Sequence, residues 1–278
     1  MTVVEWIPKY LEAYKLHVIR PDSMRILELV AQKIPQEITD MRLSDVRPMH
    51  LQKFINEFAQ SASKSYMDKL RVLLHGIFSA AIDNDLCSKD PTTNLRFPHI
   101  KERPREVFTL EEVCVILNFA MSYDKQRIAL AIMVLLLTGI RRGELLGLKD
   151  SDIDDQVLRI NRAVFRNKNK ACVIEQEAKT ESSLRTIPLL PELAYRLKTF
   201  PHKGEFIFGT RNGTLWNQRN FSRDYDRFFE CLREAEPSVR YLSPHCCRHT
   251  FATLTRESGA DRQYQNLLIP AVPLCECL

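Results

Sequence analysis

The sequence contains no long hydrophobic run. Its longest apolar stretch, Ile128 to Leu137, is about half of the roughly 20 residues that a membrane-spanning helix needs, and it has the length of a buried helix. The N-terminus, MTVVEW, lacks the basic segment followed by an apolar segment that marks a secretion signal. We therefore expect a cytoplasmic protein that has no membrane partner.

The sequence also lacks a cysteine pair with the spacing of a zinc ligand set. Its eight cysteines are scattered along 278 residues, which favours reduced thiols over a disulfide framework. A zinc site could be assembled only from His245, Cys246, Cys247, His249, Cys275 and Cys277. Adjacent cysteines on a helix point apart, so at most two of the first four could share a metal. We predict no metal site; a zinc-binding helical regulator is the alternative.

No charge of one sign dominates the chain. Lysine and arginine number 40 against 35 acidic residues, a net charge of +5. Residues 157–185, however, contain seven basic and three acidic side chains. Such a local excess on a predicted hairpin suits a polyanion, although a solvated surface is the alternative.

The first part of the chain, residues 1–93, is predicted to be a helical domain. Apolar residues recur at helical spacing in residues 4–17, 49–58 and 65–83, and aromatic residues in these helices are expected in the core. The third helix offers basic side chains on its other face, namely Lys64, Lys69 and Arg71. Residues 94–106, with their prolines and mixed charges, are predicted to form a linker.

The second domain, residues 107–278, is predicted to be mainly helical with a small β-sheet. A capping-box pattern, TLEE, begins its first helix at residue 109, and Gly139 ends the next one. Alternating residues predict strands over 157–164, 171–176 and 185–189, the last confined to an edge by its proline. Helices are expected again over 191–199, 217–234 and 245–258. The fold class is therefore α+β, mainly α.

Two arginine motifs stand about a hundred positions apart in this domain. The first is TGIRRGEL, residues 138–145, in which Glu144 is placed to orient the side chain or backbone of Arg141. The second is HCCRHTFAT, residues 245–253, which puts His245 and Arg248 on one face of a helix start, where backbone N–H groups favour an anion. Two guanidiniums and an imidazole can bind a phosphodiester and the additional charge of its transition state.

These two motifs, with Lys179 in a predicted hairpin between them, resemble the tyrosine recombinases of the phage integrase type. The resemblance implies a helical core-binding domain and a catalytic domain that form a C-shaped clamp around duplex DNA. It also implies recombination through a 3′-phosphotyrosyl intermediate without metal, ATP or any other cofactor, and self-association on a recombination site. No small-molecule substrate is expected.

The resemblance assigns roles to individual residues. Arg141 and Arg248 would bind the scissile phosphate, Lys179 would protonate the departing 5′-oxygen, and His245 would act as an acid–base or hydrogen-bonding partner. Glu144 would support them. Further DNA contacts are expected from basic residues of the third N-terminal helix and of the hairpin: Lys64, Lys69, Arg71, Arg162, Arg166, Lys168 and Lys170.

The family's nucleophilic tyrosine has no counterpart in the printed sequence. In the family a Leu-Leu-Gly-His-like segment precedes this tyrosine; here residues 266–268 match its beginning, but Ile269 and Pro270 stand in place of Gly-His. No tyrosine follows Tyr264, which precedes the match and is not expected to serve. We therefore expect a C-terminus altered by truncation or frameshift, and a chain that binds DNA but does not cleave it. The alternative is a non-catalytic DNA-binding protein that competes at recombination sites.

Overall fold

The protein is described by a computed structural model that covers residues 1–19, 21–101, 104–166, 172–176 and 185–259. The chain divides into two compact units, Met1–Pro104 and Arg105–Leu278. Both units are mainly helical, and the described strands form small antiparallel sheets in the second unit. The predicted fold class, mainly α with a small β-sheet, is confirmed.

The first unit is a helical domain around one apolar core. Its helices are α1 (Val3–Tyr14), α2 (Pro21–Ala31), α3 (Gln36–Thr39), α4 (Pro48–Ala59) and α5 (Lys64–Asp83). The buried Trp6 of α1 donates its indole N–H to the carbonyl oxygen of Ile77 in α5, at 2.9 Å. Helix α2 was not predicted, although buried Met24, Leu27 and Val30 recur at every third position.

The predicted linker contributes to this unit. Leu95, Phe97 and Ile100 pack against the first core. The side-chain amide of Gln52 donates to the carbonyl of Arg96 at 2.8 Å and accepts from its backbone N–H at 2.8 Å. Residues 95–100 are thus held on α4, and the unit boundary at Pro104 lies near the end of the predicted 94–106 segment.

The second unit packs its helices around one very apolar helix. Its helices are α6 (Leu110–Ser122), α7 (Gln126–Thr138), α8 (Arg142–Leu146), α9 (Pro191–Thr199), α10 (Gln218–Ala235) and α11 (Pro244–Glu257). Every residue of α7 from Ile128 to Thr138 is buried, which explains the longest hydrophobic run of the sequence. Within the described ranges, no helix combines the length and hydropathy that crossing a membrane requires.

Two antiparallel sheets follow α8. Strands β1 (Ile153–Asp154), β2 (Val157–Ile160) and β5 (Arg185–Pro188) form one sheet in the order β1-β2-β5, with Pro188 on the edge strand as predicted. Strands β3 (Arg162–Arg166) and β4 (Cys172–Gln176) form the other. The single strand predicted over 157–164 is wrong. The segment instead forms two strands, β2 and β3, separated at Asn161. The side chain of Asn161 donates a hydrogen bond to Asp152, and the alternation of buried residues changes phase at this position.

An ion pair ties the beginning of α6 to the segment before α11. Glu112 completes the predicted capping box by accepting from the backbone N–H of Thr109 at 2.8 Å. The same carboxylate accepts from Nε and Nη2 of Arg240 at 2.8 and 2.6 Å. These hydrogen bonds from Arg240 outweigh partial burial and lower the pKa of Glu112 to about 2.

This pair predicts a pH dependence of stability. Because the pKa of Glu112 is depressed in the folded protein, the stabilisation is fully present above the ordinary carboxyl pKa of 4.5 and is lost as the pH falls towards about 2. We expect Glu112→Gln to destabilise the second unit by about 1–2 kcal/mol at neutral pH, the pair being partly exposed. In urea unfolding at neutral and at acid pH, the variant and the unsubstituted protein should differ less in free energy of unfolding at acid pH. Glu111→Gln, in the same turn and exposed, is the control; a pH-independent difference would contradict the assignment.

Candidate active site

Gly139 forms the meeting point of the two arginine motifs. Its φ of 62° places it in the left-handed region, and a Cβ there would lie 2.4 Å from Cδ1 of Phe251 in α11. Arg248, also in α11, donates from Nη1 to the Gly139 carbonyl oxygen at 2.5 Å. Since Arg141 follows Gly139 by only two residues, this bond places Arg248 beside the first motif.

Glu144 organises the first motif. Its side chain is fully buried, and it accepts from the backbone N–H of Arg141 at 2.7 Å and from Arg141 Nη1 at 2.8 Å. Arg185 of β5 donates to the same two carboxylate oxygens at 3.1 and 2.6 Å. Burial alone would raise the pKa of Glu144, but the hydrogen bonds from Arg185 and Arg141 lower it. A charged carboxylate therefore lies between the guanidiniums of Arg141 and Arg185. The sequence spacing of Arg141 and Glu144 predicts the contact with Arg141.

The second motif presents its imidazole to a positively charged environment. Helix α11 begins at Pro244, and the rings of His245 and His249 contact each other edge to face at 4.5 Å. Partial burial lowers the pKa of His245, and the charges of Arg248, Arg105, Arg141 and Arg142 lower it further. His245 is accordingly neutral at physiological pH, so it can donate a hydrogen bond without carrying a charge, or accept a proton and become a cation.

Burial lowers the pKa of Arg248, and the neighbouring charges of Arg141 and Arg185 lower it further. Guanidiniums nevertheless remain protonated in proteins. Two arginines whose charges influence each other, beside a neutral histidine, form a region with a net positive charge. Such a region is suited to an oxyanion that arrives from solvent.

Helix α10 adds basic residues that the sequence did not reveal. Arg142 donates from Nη1 to the hydroxyl of Ser222 in α10 at 3.1 Å. Arg219 and Arg223, on the same stretch of α10, are exposed and line a shallow cleft with Ser222. The sequence predicts the helix over 217–234, but only the Arg142–Ser222 contact shows that a polar face of α10 adjoins Arg142.

Some predicted DNA contacts have partners inside the protein. Arg162 forms an ion pair with the buried Asp152 and donates to the Gly147 carbonyl, so that its charge is compensated within the unit. Lys69 bonds the carbonyl and hydroxyl of Ser65, and the Arg71 guanidinium stacks on Phe97 at 4.3 Å. Lys64 is exposed on the first turn of α5. Four residues with predicted roles lie outside the described residues, namely Lys168, Lys170, Lys179 and Tyr264. For Arg166 the backbone is described but the side chain is not.

The proposed zinc ligands do not gather in the part of the chain that the structure describes. No group of three or more histidine, cysteine, aspartate or glutamate side chains comes together there. Burial raises the pKa of Cys247 to about 12, which disfavours the thiolate that a metal requires. Cys275 and Cys277 lie outside the described residues.

Comparison with known families identifies the second unit. Residues 106–268 match the Phage integrase family, and residues 2–59 match the Phage integrase, N-terminal SAM-like domain. The chain belongs to the phage integrase family. The first match contains both arginine motifs together with Glu144, which confirms the resemblance seen in the sequence.

Individual relatives of this integrase-family chain are distant. The Tyrosine recombinase XerC-like protein of Caldanaerobacter subterraneus subsp. tengcongensis is 27% identical over 256 residues, covering 80% of this chain and 63% of the relative. The Transposase from transposon Tn916 of Enterococcus faecalis is 24% identical over 273 residues, covering 89% and 62%. The chain thus spans a little under two thirds of the length of each of these relatives.

Solved structures with the same fold include two integrases. The Tn1549 transposon integrase in complex with a circular intermediate DNA gives a TM-score of 0.81 at 19% identity, covering 100% of this chain and 94% of that one. A lambda integrase dimer bound to a COC′ core site gives 0.70 at 20% identity, covering 96% and 94%. At these identities the likeness establishes the fold.

Proposed function

We propose that this family member acts in site-specific DNA recombination by binding a duplex phosphodiester between its two arginine motifs. The observation that carries the proposal is the hydrogen bond from Arg248 to the carbonyl of Gly139. Because Gly139 stands two positions before Arg141 in the chain, this bond brings the two motifs together. DNA complexes of integrases that share the fold support DNA as the ligand. The lambda integrase dimer supports self-association on DNA.

The proposed chemistry takes its residue roles from the family resemblance, and the charge and geometry of the described residues support them. Arg141 and Arg248 bind the non-bridging oxygens of the phosphate and stabilise the charge that develops in the pentacoordinate transition state. His245 is neutral because burial and neighbouring arginines lower its pKa, so it serves as a hydrogen-bonding or proton-accepting group. Lys179 is proposed as the proton donor to the leaving 5′-oxygen. Glu144 holds Arg141 in place.

A polypeptide of residues 1–278 is proposed to bind DNA without cleaving it. In-line attack requires an aryloxide beside Arg248, and no tyrosine follows Tyr264 in the sequence. The second candidate function is a non-catalytic protein that competes for recombination sites, and it is motivated by Ile269 and Pro270, which stand where the family has Gly-His. The two candidates share their DNA contacts and differ only in chemistry.

Binding through phosphates predicts a steep dependence of DNA affinity on salt. Each phosphate contact contributes about 0.9 to the slope of log K against log salt. We expect Arg248→Ala to reduce that slope by about 0.9 and the affinity at low salt by about tenfold. Fluorescence anisotropy with a mixed-sequence duplex measures both quantities.

The matched control is Arg211→Ala. Arg211 is exposed and lines a cleft with Arg127 and Ile128 at the beginning of α7. That end of a 13-residue helix is about 20 Å from Gly139. A slope near zero for the unsubstituted protein, or equal effects of the two substitutions, would contradict phosphate binding by the arginine motifs.

We expect no covalent adduct between residues 1–278 and DNA. A duplex nicked near the cleavage point traps a phosphotyrosyl product, which a denaturing gel separates from free protein. Because the cleavage point depends on sequence, the substrate is a pool of nicked duplexes drawn from junctions of the element that encodes the protein. A band that shifts with DNA and disappears on Tyr264→Phe would show that Tyr264 is the nucleophile.

A further inference from the structure

Arg185 contributes to the positive charge that the sequence places on the hairpin, yet the structure turns its side chain inwards. It is the first residue of β5, opposite Ile160 of β2. Its Nη1 and Nη2 each bond one oxygen of the buried Glu144 carboxylate, so this guanidinium is engaged end-on, by two hydrogen bonds, within the protein. An arginine held in this way has two donor groups fewer to offer to DNA.

Glu144 has its acceptor capacity filled by two arginines. One oxygen accepts from Arg141 Nη1 and Arg185 Nη1, and the other accepts from the Arg141 backbone and Arg185 Nη2. A carboxylate offers about four such positions. Arg141 and Arg185 therefore bind the same carboxylate. A movement of Arg185 shifts the Glu144 carboxylate, and with it the group that orients Arg141.

The charge of Glu144 depends on this arrangement. Burial opposes ionisation, and the hydrogen bonds of Arg185 are the foremost influence that restores it. Arg141 has a side chain that is 55% exposed, and its Nη1 bonds Glu144. Without Arg185, only the hydrogen bonds from Arg141 offset the burial of Glu144, so the carboxylate that anchors the Arg141 guanidinium loses half of its hydrogen bonds.

We propose that Arg185 is a positioning residue for the phosphate-binding arginine Arg141, acting through Glu144. The proposal rests on the proposed function, because it assumes that Arg141 binds a DNA phosphate. It differs from a direct role of Arg185 in DNA binding, since Arg185 then contributes no phosphate contact of its own. It also differs from a structural role, because it requires Arg141 to lose its contact when Arg185 is removed.

The salt dependence of DNA binding separates these roles. Arg141→Met, Arg185→Met and the double variant are compared with the unsubstituted full chain by anisotropy on the same duplex, and thermal melting of each is recorded. We expect all three variants to lose about 0.9 from the slope, because each removes the same single phosphate contact. The double variant binds no more weakly than Arg141→Met alone.

Other outcomes have distinct meanings. A double variant that loses about 1.8 from the slope shows that Arg185 contacts phosphate directly and overturns the proposal. A lower melting temperature for Arg185→Met with an unchanged slope shows a structural role and overturns it equally. An unchanged slope for Arg141→Met contradicts the proposed function itself. If Arg185→Met does not fold, Arg185→Gln replaces it, because glutamine keeps a donor to Glu144 but removes the charge. Its salt slope and melting temperature are then compared with those of Arg141→Met and of the corresponding double variant.

Discussion

Replacement of Glu144 by alanine is expected to lower the free energy of unfolding of the second unit by about 3–5 kcal/mol. The carboxylate is fully buried and accepts four hydrogen bonds, from Arg141 and Arg185. Its removal leaves the guanidiniums of both arginines close together without an anion, next to Arg248. Uncompensated charge at a partly buried position is among the most destabilising changes known for a single substitution.

The measurement can be made specific to this unit. The sequence has two tryptophans, Trp6 in the first unit and Trp216 in the second. In a Trp6→Phe background, denaturant unfolding followed by tryptophan fluorescence reports on Trp216 alone. Glu192→Ala is the matched control, because it removes the same side chain from an exposed ion pair with Arg196 and should cost less than about 1 kcal/mol. Equal effects of the two substitutions would contradict a buried anchor at Glu144.

Gly139→Ala is expected to destabilise the second unit by about 2–4 kcal/mol and to weaken DNA binding as well. Two costs add at this position. The φ of 62° is strained for an L side chain, and the new Cβ would lie 2.4 Å from the Phe251 ring, which must move together with α11. Because the Gly139 carbonyl holds Arg248, that movement displaces the guanidinium from the site.

Gly259→Ala separates the two costs. Gly259 also has a positive φ, 80°, but within the described structure an added Cβ there meets nothing within 4 Å. This control should therefore show the backbone strain alone, about 1 kcal/mol, without an effect on DNA affinity. Free energies of unfolding are compared in the Trp6→Phe background. An equal loss for both alanine variants would show that backbone strain alone, and not the close packing of α7 and α11, requires glycine at position 139.

The elements that sequence predicts best are those whose signals are local. The capping box at Thr109 and Glu112 forms as expected, and Gly139 ends α7 in the left-handed conformation that glycine permits. The pairing of Arg141 with Glu144 follows from their spacing of three residues. These features depend on neighbouring residues in the chain, which a sequence displays directly.

Features that depend on distant residues were missed. The sequence predicts Arg162 as a DNA contact and includes Arg185 in the basic excess of residues 157–185, whereas both guanidiniums pair with buried carboxylates. The partner of Arg185 lies 41 positions away, and no periodicity indicates it. The contribution of α10 to the surroundings of Arg142 was missed for the same reason, since the Arg142–Ser222 contact spans 80 positions.

The burial of α7 has a consequence for the timescale on which the site persists. Amide hydrogens that are both buried and hydrogen-bonded exchange with solvent only when the surrounding unit opens as a whole. Residues 129–138 meet both conditions, and the carbonyl that holds Arg248 belongs to the next residue, Gly139. The link between the two arginine motifs is therefore attached to the part of the second unit that opens last. Fluctuations that fray helix ends elsewhere leave the separation of the two motifs intact.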